Sequence, residues 1–249
     1  MRAPLSPGMA PTTPSTTLRS SLALRRIALL EGLSDQRLDL LAQQCLWHSV
    51  EARKPLLLRA EQQGDVFLLV SGRVRVTTYS ANGRQVTFRD SEAGEHFGDI
   101  AALDGGPRSA DVVTLEPSVL ASLDGLSFMA LLRDEPVVAE RVMQRLASLV
   151  RQLSERVIDL STLGVQNRLH AELLRLARIA GVEGNQSRLD PAPKHAALAS
   201  QISTNREQVT RELNVLVRSG VLRKDGKALL VADAARLERM VSQVRGDAG

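Results

Sequence analysis

Between residues 50 and 125 the chain never runs far without a turn signal. Gly64-Asp65, Ser71-Gly72, Asn82-Gly83, Gly94, Gly98 and Gly105-Gly106 divide it into short apolar runs. Runs that short leave no room for long helices and suit an antiparallel roll or barrel. VFLLVSGRVRVTTYSANGRQVTF reads as strand, turn, strand, hairpin and strand, with Asn82-Gly83 supplying the two positive-φ residues of a type I′ turn. The flanks have a different texture. Residues 21–45 read as helix, capped from Ser34, with Leu30, Leu38, Leu41 and Ala42 near a 3.6 period. Residues 136–163 read as one long amphipathic helix with Pro136 near its start. Along it Leu146, Val150, Leu153, Val157 and Leu160 follow a 4-3-4-3 spacing, a coiled-coil seam that predicts a homodimer. Val138, Val142 and Leu149 form a second apolar face, suited to packing on the chain's own β-region.

The C-terminal third has another order. A helix over 165–180 closes at Gly181, and GVEGNQSRLDPAP reads as a polar loop. KHAALASQ and TNREQVTRELNVLVRSG read as two helices joined by a turn near Ile202–Thr204, and VLRKDGKALLVAD as two strands around Asp225-Gly226. That succession is a winged helix-turn-helix. Residues 164–249 hold 14 Lys and Arg against 9 Asp and Glu, so the formal charge of +4 originates there. A basic surface suits nucleic acid, and also plain solubility. Aromatic residues make up 2% of the chain and none follows Phe128, which argues against base stacking by the second half.

Several classes are excluded. The single cysteine, Cys45, cannot form an internal disulfide or supply a four-thiolate cluster, and it fits a reducing, cytoplasmic setting. No apolar run is long enough to span a bilayer. Residues 1–20, rich in Pro, Ser and Thr without an apolar core, read as a disordered tail rather than a signal peptide. No HExxH, P-loop, GxSxG or paired-carboxylate motif marks an enzyme.

Two constellations carry chemistry. In GEHFGDIAALDGGPRSADV, Gly98 lets backbone approach a ligand and Asp99 offers a carboxylate to hydroxyls. Ile100 opens an apolar turn, and Gly105-Gly106-Pro107 presents Arg108, Ser109 and Ala110. A carboxylate for a sugar hydroxyl beside a forked cation for a phosphate describes a nucleotide pocket. A plain turn with an Asp99–Arg108 surface ion pair fits the same residues. In TNREQVTRELNVLVRSG, Thr204 or Asn205 caps a helix carrying Arg206, Glu207 and Arg211 in its first two turns, with Leu213, Val215, Leu216 and Val221 on the core side. Arginine forks pair with guanine O6/N7, and glutamate accepts from cytosine N4. A solvated helix with a Glu207–Arg211 pair has the same spacing.

The first motif resembles the phosphate-binding cassette of cyclic-nucleotide-binding domains. Across residues 22–231 the order of parts resembles the cAMP receptor protein/FNR (Crp/Fnr) family of transcription regulators. The resemblance implies an α+β chain: a jelly-roll-like β-roll over 21–134, a dimerisation helix over 135–163 and a winged helix-turn-helix over 164–249. It assigns the ribose hydroxyl to Asp99 and the cyclic phosphate to Arg108 and Ser109. It places the base near Phe88, Arg89 and the Leu153-Ser154 pair of the long helix. Several positions depart from the family: Asp99 for glutamate, Leu153 for threonine, Leu149 for an arginine, and Ala60 and Ser203 for turn glycines. Arg89 suits either guanine O6/N7 or a solvent-exposed site. The implied activity is ligand-gated, non-enzymatic DNA binding without a resident cofactor. The ligand is cAMP first, with cGMP and cyclic di-GMP open; a haem or redox effector, using His48 or His96, and signalling through protein contacts are the alternatives. Implied partners are inverted TGTGA-like half-sites, read by Arg206, Glu207 and Arg211 with Lys224 and Lys227 on the wing, a second copy of the chain, and RNA polymerase, with no membrane.

Overall fold

The computed structural model describes residues 20–79 and 85–245. The expected N-terminal tail, up to residue 19, and the Asn82-Gly83 hairpin lie outside them. The chain divides into two compact units between Ser148 and Leu149, inside the long helix.

The first unit is built on eight strands: β1 (Leu46–Val50), β2 (Pro55–Leu57), β3 (Val66–Ser71), β4 (Arg73–Tyr79), β5 (Gln85–Glu92), β6 (His96–Phe97), β7 (Asp111–Thr114) and β8 (Ser118–Leu123). They form two antiparallel four-stranded sheets, ordered β1-β8-β3-β6 and β2-β7-β4-β5. Leu57, Phe67, Leu69, Val74, Val112 and Leu120 form the core between them, where Phe67 and Phe97 stack with ring centroids 5.4 Å apart. The other face of β3, through Val66, Leu68 and Val70, packs on helical residues. Both faces of β3 are therefore covered, which is why its sequence is a continuous apolar run rather than an alternation.

Those helical residues come from α1 (Ser21–Leu24), α2 (Asp35–Gln44), α4 (Gly125–Asp134) and α5 (Pro136–Thr162); α3 (Asp99–Asp104) belongs to the glycine-rich motif. The single helix expected over 21–45 is in fact broken. A 3₁₀ turn at Ala28–Leu30 follows α1, and Gly32 at φ +78° separates it from α2. Ser34 does cap α2, its Oγ accepting from Arg37 N at 3.3 Å. Trp47 on β1 donates from Nε1 to Ala42 O. On α5, Val138 and Val142 are buried as expected. Leu146, the first residue of the expected seam, is half-buried and packs on the same core as Val142, four residues being the spacing of one helix face. Val150, Leu153, Val157 and Leu160 remain 41–63% exposed.

The second unit contains α6 (Val165–Ala180), β9 (Ser187–Leu189), α7 (His195–Gln201), α8 (Arg206–Arg218), β10 (Leu222–Asp225), β11 (Ala228–Val231) and α9 (Ala234–Arg245). The α7–turn–α8 and β10–β11 elements match the sequence reading. The loop after α6 is less irregular than expected, because Ser187–Leu189 pairs with Leu229–Val231 to complete a β10-β11-β9 sheet. Leu169, Leu173, Leu198, Val209, Leu216 and Leu237 form the core, the last supplied by α9. Leu213, Leu216 and Val221 are buried, but Val215 is 41% exposed rather than on the core side.

Candidate functional site

The glycine-rich motif folds around one arginine. Arg108 is buried, donating from Nη1 to Gly98 O at 2.9 Å and from Nη2 to Asp65 O at 2.7 Å. Its backbone N–H bonds Glu61 O, and its carbonyl accepts from Ala60 N, whose φ is +71°. Gly98 has φ +88°, and a Cβ there would lie 2.8 Å from Asp65 O and 2.9 Å from Arg108 Nη1. Only glycine meets both the dihedral and the space. Burial pulls the Arg108 pKa below the ordinary arginine value, against the opposing charges of Asp65, Glu61 and Asp99. Its Nε is buried without a hydrogen-bond partner, and Ser109 beside it is exposed. Ala110 and Ile100 are half-buried and exposed respectively.

The surface Asp99–Arg108 ion pair is not present. Asp99 is buried, and its Oδ2 lies 3.5 Å from His96 Nε2 and 3.7 Å from Arg145 Nε. Arg145 Nη1 is 3.2 Å from His96 Nδ1. Burial favours a neutral Asp99, but His96 and the Arg145 charge outweigh it, so its pKa sits below the usual carboxylate value. Burial lowers His96 as well, reinforced by Arg145 and opposed by Asp99. His96 is thus engaged within the pocket wall. His48 Nε2 lies within hydrogen-bond distance of Ser122 Oγ, at 2.9 Å.

Arg89 is half-buried in an ion pair. It pairs with Glu95 at 2.7 Å and approaches His96 O at 3.4 Å. Phe88 is 39% exposed. Leu153 and Ser154 belong to the second unit; both are exposed, and the Ser154 hydroxyl donates to Val150 O. The sequence reading missed Arg145. A usable signal was present: Val138, Val142 and Arg145 share one helical face, so a charge stands where the period calls for an apolar residue.

In the second unit Asn205 is the cap of α8, its Oδ1 accepting from Gln208 N at 2.8 Å. Thr204, just before it, is buried, and its hydroxyl donates to Gln208 Oε1. Arg206, Glu207 and Arg211 are all exposed on the first turns of α8, opposite the buried Val209, Leu213 and Leu216. Lys224 and Lys227 are exposed at the β10–β11 hairpin. Burial lowers the His195 pKa, and the charges of Arg206 and Lys224 lower it further. The turn before α8 is held by Arg156, which donates to Gln201 O at 2.9 Å, and Arg168, which donates to Ile202 O at 3.0 Å. Ser203, within that turn, has φ +55°. Among the described residues no His, Cys, Asp and Glu group is arranged to hold a metal, and no helix is long and apolar enough to cross a membrane.

Residues 47–135 match the cyclic nucleotide-binding domain, and residues 167–240 the Crp-like helix-turn-helix domain. The chain is 31% identical to the Cyclic AMP receptor protein of Thermus thermophilus, over 85% of this chain and 95% of that one. It is 24% identical to the CRP-like cAMP-activated global transcriptional regulator of Mycobacterium tuberculosis, over 87% and 97%. The solved c-di-GMP responsive global regulator CLP of Xanthomonas campestris shares the fold, with a TM-score of 0.69 at 18% identity over 85% and 99%. The buried cassette arginine, the exposed face of α8 and these matches along most of the chain make it a member of the Crp/Fnr family of cyclic-nucleotide-binding transcription regulators.

Proposed function

We propose that this chain is a homodimeric regulator whose affinity for DNA is set by a cyclic nucleotide held at Asp99, Arg108 and Ser109. The observation that carries the reading is Arg108: a buried guanidinium, fixed by two carbonyls, whose Nε still lacks a partner. Two protein carbonyls hold its side chain, which lowers the entropic cost of binding an anion. cAMP is the first ligand, since relatives at 31% and 24% identity are described by their response to or reception of cAMP. Cyclic di-GMP is the second, suggested by a relative similar in fold.

The partner across Val150, Leu153, Val157 and Leu160 is a second copy of the chain. A stripe of four exposed aliphatic residues on one long helix favours a coiled-coil pairing. The dimer presents two α8 helices to an inverted repeat with TGTGA-like halves, Arg206 reading the outer guanine and Glu207 with Arg211 the inner G·C pair. Lys224 and Lys227 contact phosphates, RNA polymerase is the downstream partner, and the cytoplasm is the site of action. The domain boundaries for this mechanism are a β-roll to 134, the helix over 135–163 and the DNA-binding domain from 164.

The test is calorimetric titration of the purified protein with cAMP, cGMP and cyclic di-GMP, paired with selection of bound sites from random duplexes. Arg206→Ala should relax preference at one G·C pair by about 1–3 kcal/mol. DNA affinity that is equal with saturating nucleotide and with none removes the gating. Recovery of a motif without TGTGA-like halves removes the base assignments.

A further inference from the structure

Buried donors without acceptors are rare, because each gives up hydration and recovers no bond. Arg145 has two: Nε and Nη2 are buried and unpartnered, on a side chain only 17% exposed. Its third nitrogen, Nη1, does make a hydrogen bond, to His96. Arginine can only donate, so Nη1 at 3.2 Å makes His96 Nδ1 an acceptor and puts the neutral ring's proton on Nε2, facing Asp99. Asp99 Oδ2 also closes no hydrogen bond. His96 Nε2, Asp99 Oδ2 and Arg145 Nε thus stand in a chain of contacts of 3.5 and 3.7 Å, with no hydrogen bond closed at any of the three atoms.

A purely structural ion pair in this protein looks different. Arg75 meets Asp90 through two bonds of 2.7 Å, Nε to Oδ1 and Nη2 to Oδ2. Arg145 stops 3.7 Å short of Asp99, with Arg89 close enough for their charges to repel. Asp99 follows directly on Gly98, whose carbonyl Arg108 holds at 2.9 Å, so the cassette that carries Arg108 and the helix that carries Arg145 both reach the same short stretch of chain.

We propose that Arg145 is a second anion-binding residue of the effector pocket, so that a ligand's phosphodiester is gripped by Arg108 from the cassette and by Arg145 from α5, with the neighbouring ribose hydroxyl accepted by Asp99. This deepens the nucleotide reading above and rests on it. The ligand class is a ribose phosphodiester, from a cyclic mononucleotide or a cyclic dinucleotide. Bound there, it fills the unmet donors of Arg145 and the unmet acceptor of Asp99 together. The same grip ties the β-roll to the first half of α5.

Calorimetric titration of the full-length protein with cAMP, cGMP and cyclic di-GMP tests this in wild type, Arg145→Gln and Arg145→Lys, with ligand-free unfolding curves as a check on folding. Whichever nucleotide binds wild type should bind Arg145→Gln at least about tenfold more weakly. Arg145→Lys, which keeps the charge but not the fork, should recover part of that loss. Unchanged binding by Arg145→Gln overturns the proposal. Tighter binding also overturns it, since Arg145 would then be a plug over Asp99. If wild type binds none of the three, the nucleotide reading fails and takes this one with it. Binding to wild type with an indifferent Arg145→Gln sinks this one alone.

Discussion

Arg108→Ala should destabilise the protein with no ligand present, because the arginine is already part of the fold. Its guanidinium joins Gly98 O to Asp65 O by bonds of 2.9 and 2.7 Å. Hydrogen bonds to charged groups contribute about 1.5–3 kcal/mol each, so two give roughly 3–6 kcal/mol. Desolvation of the buried cation, which also lowers its pKa, offsets part of that. Truncation also leaves room for water at the freed carbonyls. A net loss of about 2–4 kcal/mol remains, or roughly 5–15 °C in the melting temperature of a unit this size. Differential scanning calorimetry of ligand-free protein measures it, with Ser109→Ala as the exposed control expected within about 0.5 kcal/mol of wild type. An Arg108→Ala protein melting within about 1 °C of wild type refutes the structural role. The result also bears on every ligand assay of this variant, since lost binding would partly reflect a displaced cassette.

Ser203→Gly should stabilise the second unit by about 0.5–1 kcal/mol, because φ +55° strains serine more than glycine; chemical denaturation reads this, and a loss would mean the 3.4 Å contact from Arg156 to the Ser203 hydroxyl dominates. Burial lowers the His170 pKa, and neither ring nitrogen has a hydrogen-bond partner. The folded unit therefore keeps His170 neutral while the unfolded chain protonates near pH 6.5, so its contribution is full above that pH and declines as pH falls below it. His170→Leu should flatten the loss of stability between pH 7.5 and 5.5; curves of equal slope count against the assignment.

What could be read from sequence was local. The cassette is a contiguous string in which Gly98 and Arg108 lie ten residues apart and meet across α3, and α8 shows its cap, exposed charges and apolar face within two turns. Arg145 was hidden because its partners, His96 and Asp99, lie far away in the chain, and only the packing of α5 on the β-roll brings them together. The Arg89 ion pair is illegible for a related reason: the partner of a strand arginine depends on the β5–β6 turn, which brings Glu95 to it. β9 was lost to polarity. Three residues with an exposed arginine in the middle carry no pattern of their own, and become a strand only by pairing with β11. The core contact of Leu146 is not legible either, because 4-3 spacing does not say which side of a helix meets the core.

The aromatic residues have an optical consequence. Trp47 and Tyr79 both lie in the first unit, and the second unit has no Phe, Trp or Tyr. Near-ultraviolet absorbance and fluorescence therefore report on the β-roll alone. Trp47, fastened at Nε1 to the end of α2 and seated on β1, is an intrinsic probe of the sheet that contains β6. The DNA-binding unit, rich in helix, is visible mainly by far-ultraviolet dichroism. Following one unfolding experiment at both wavelengths separates the two units without any label. Coincident curves would mean that they melt as one cooperative body, and displaced curves would give each its own stability.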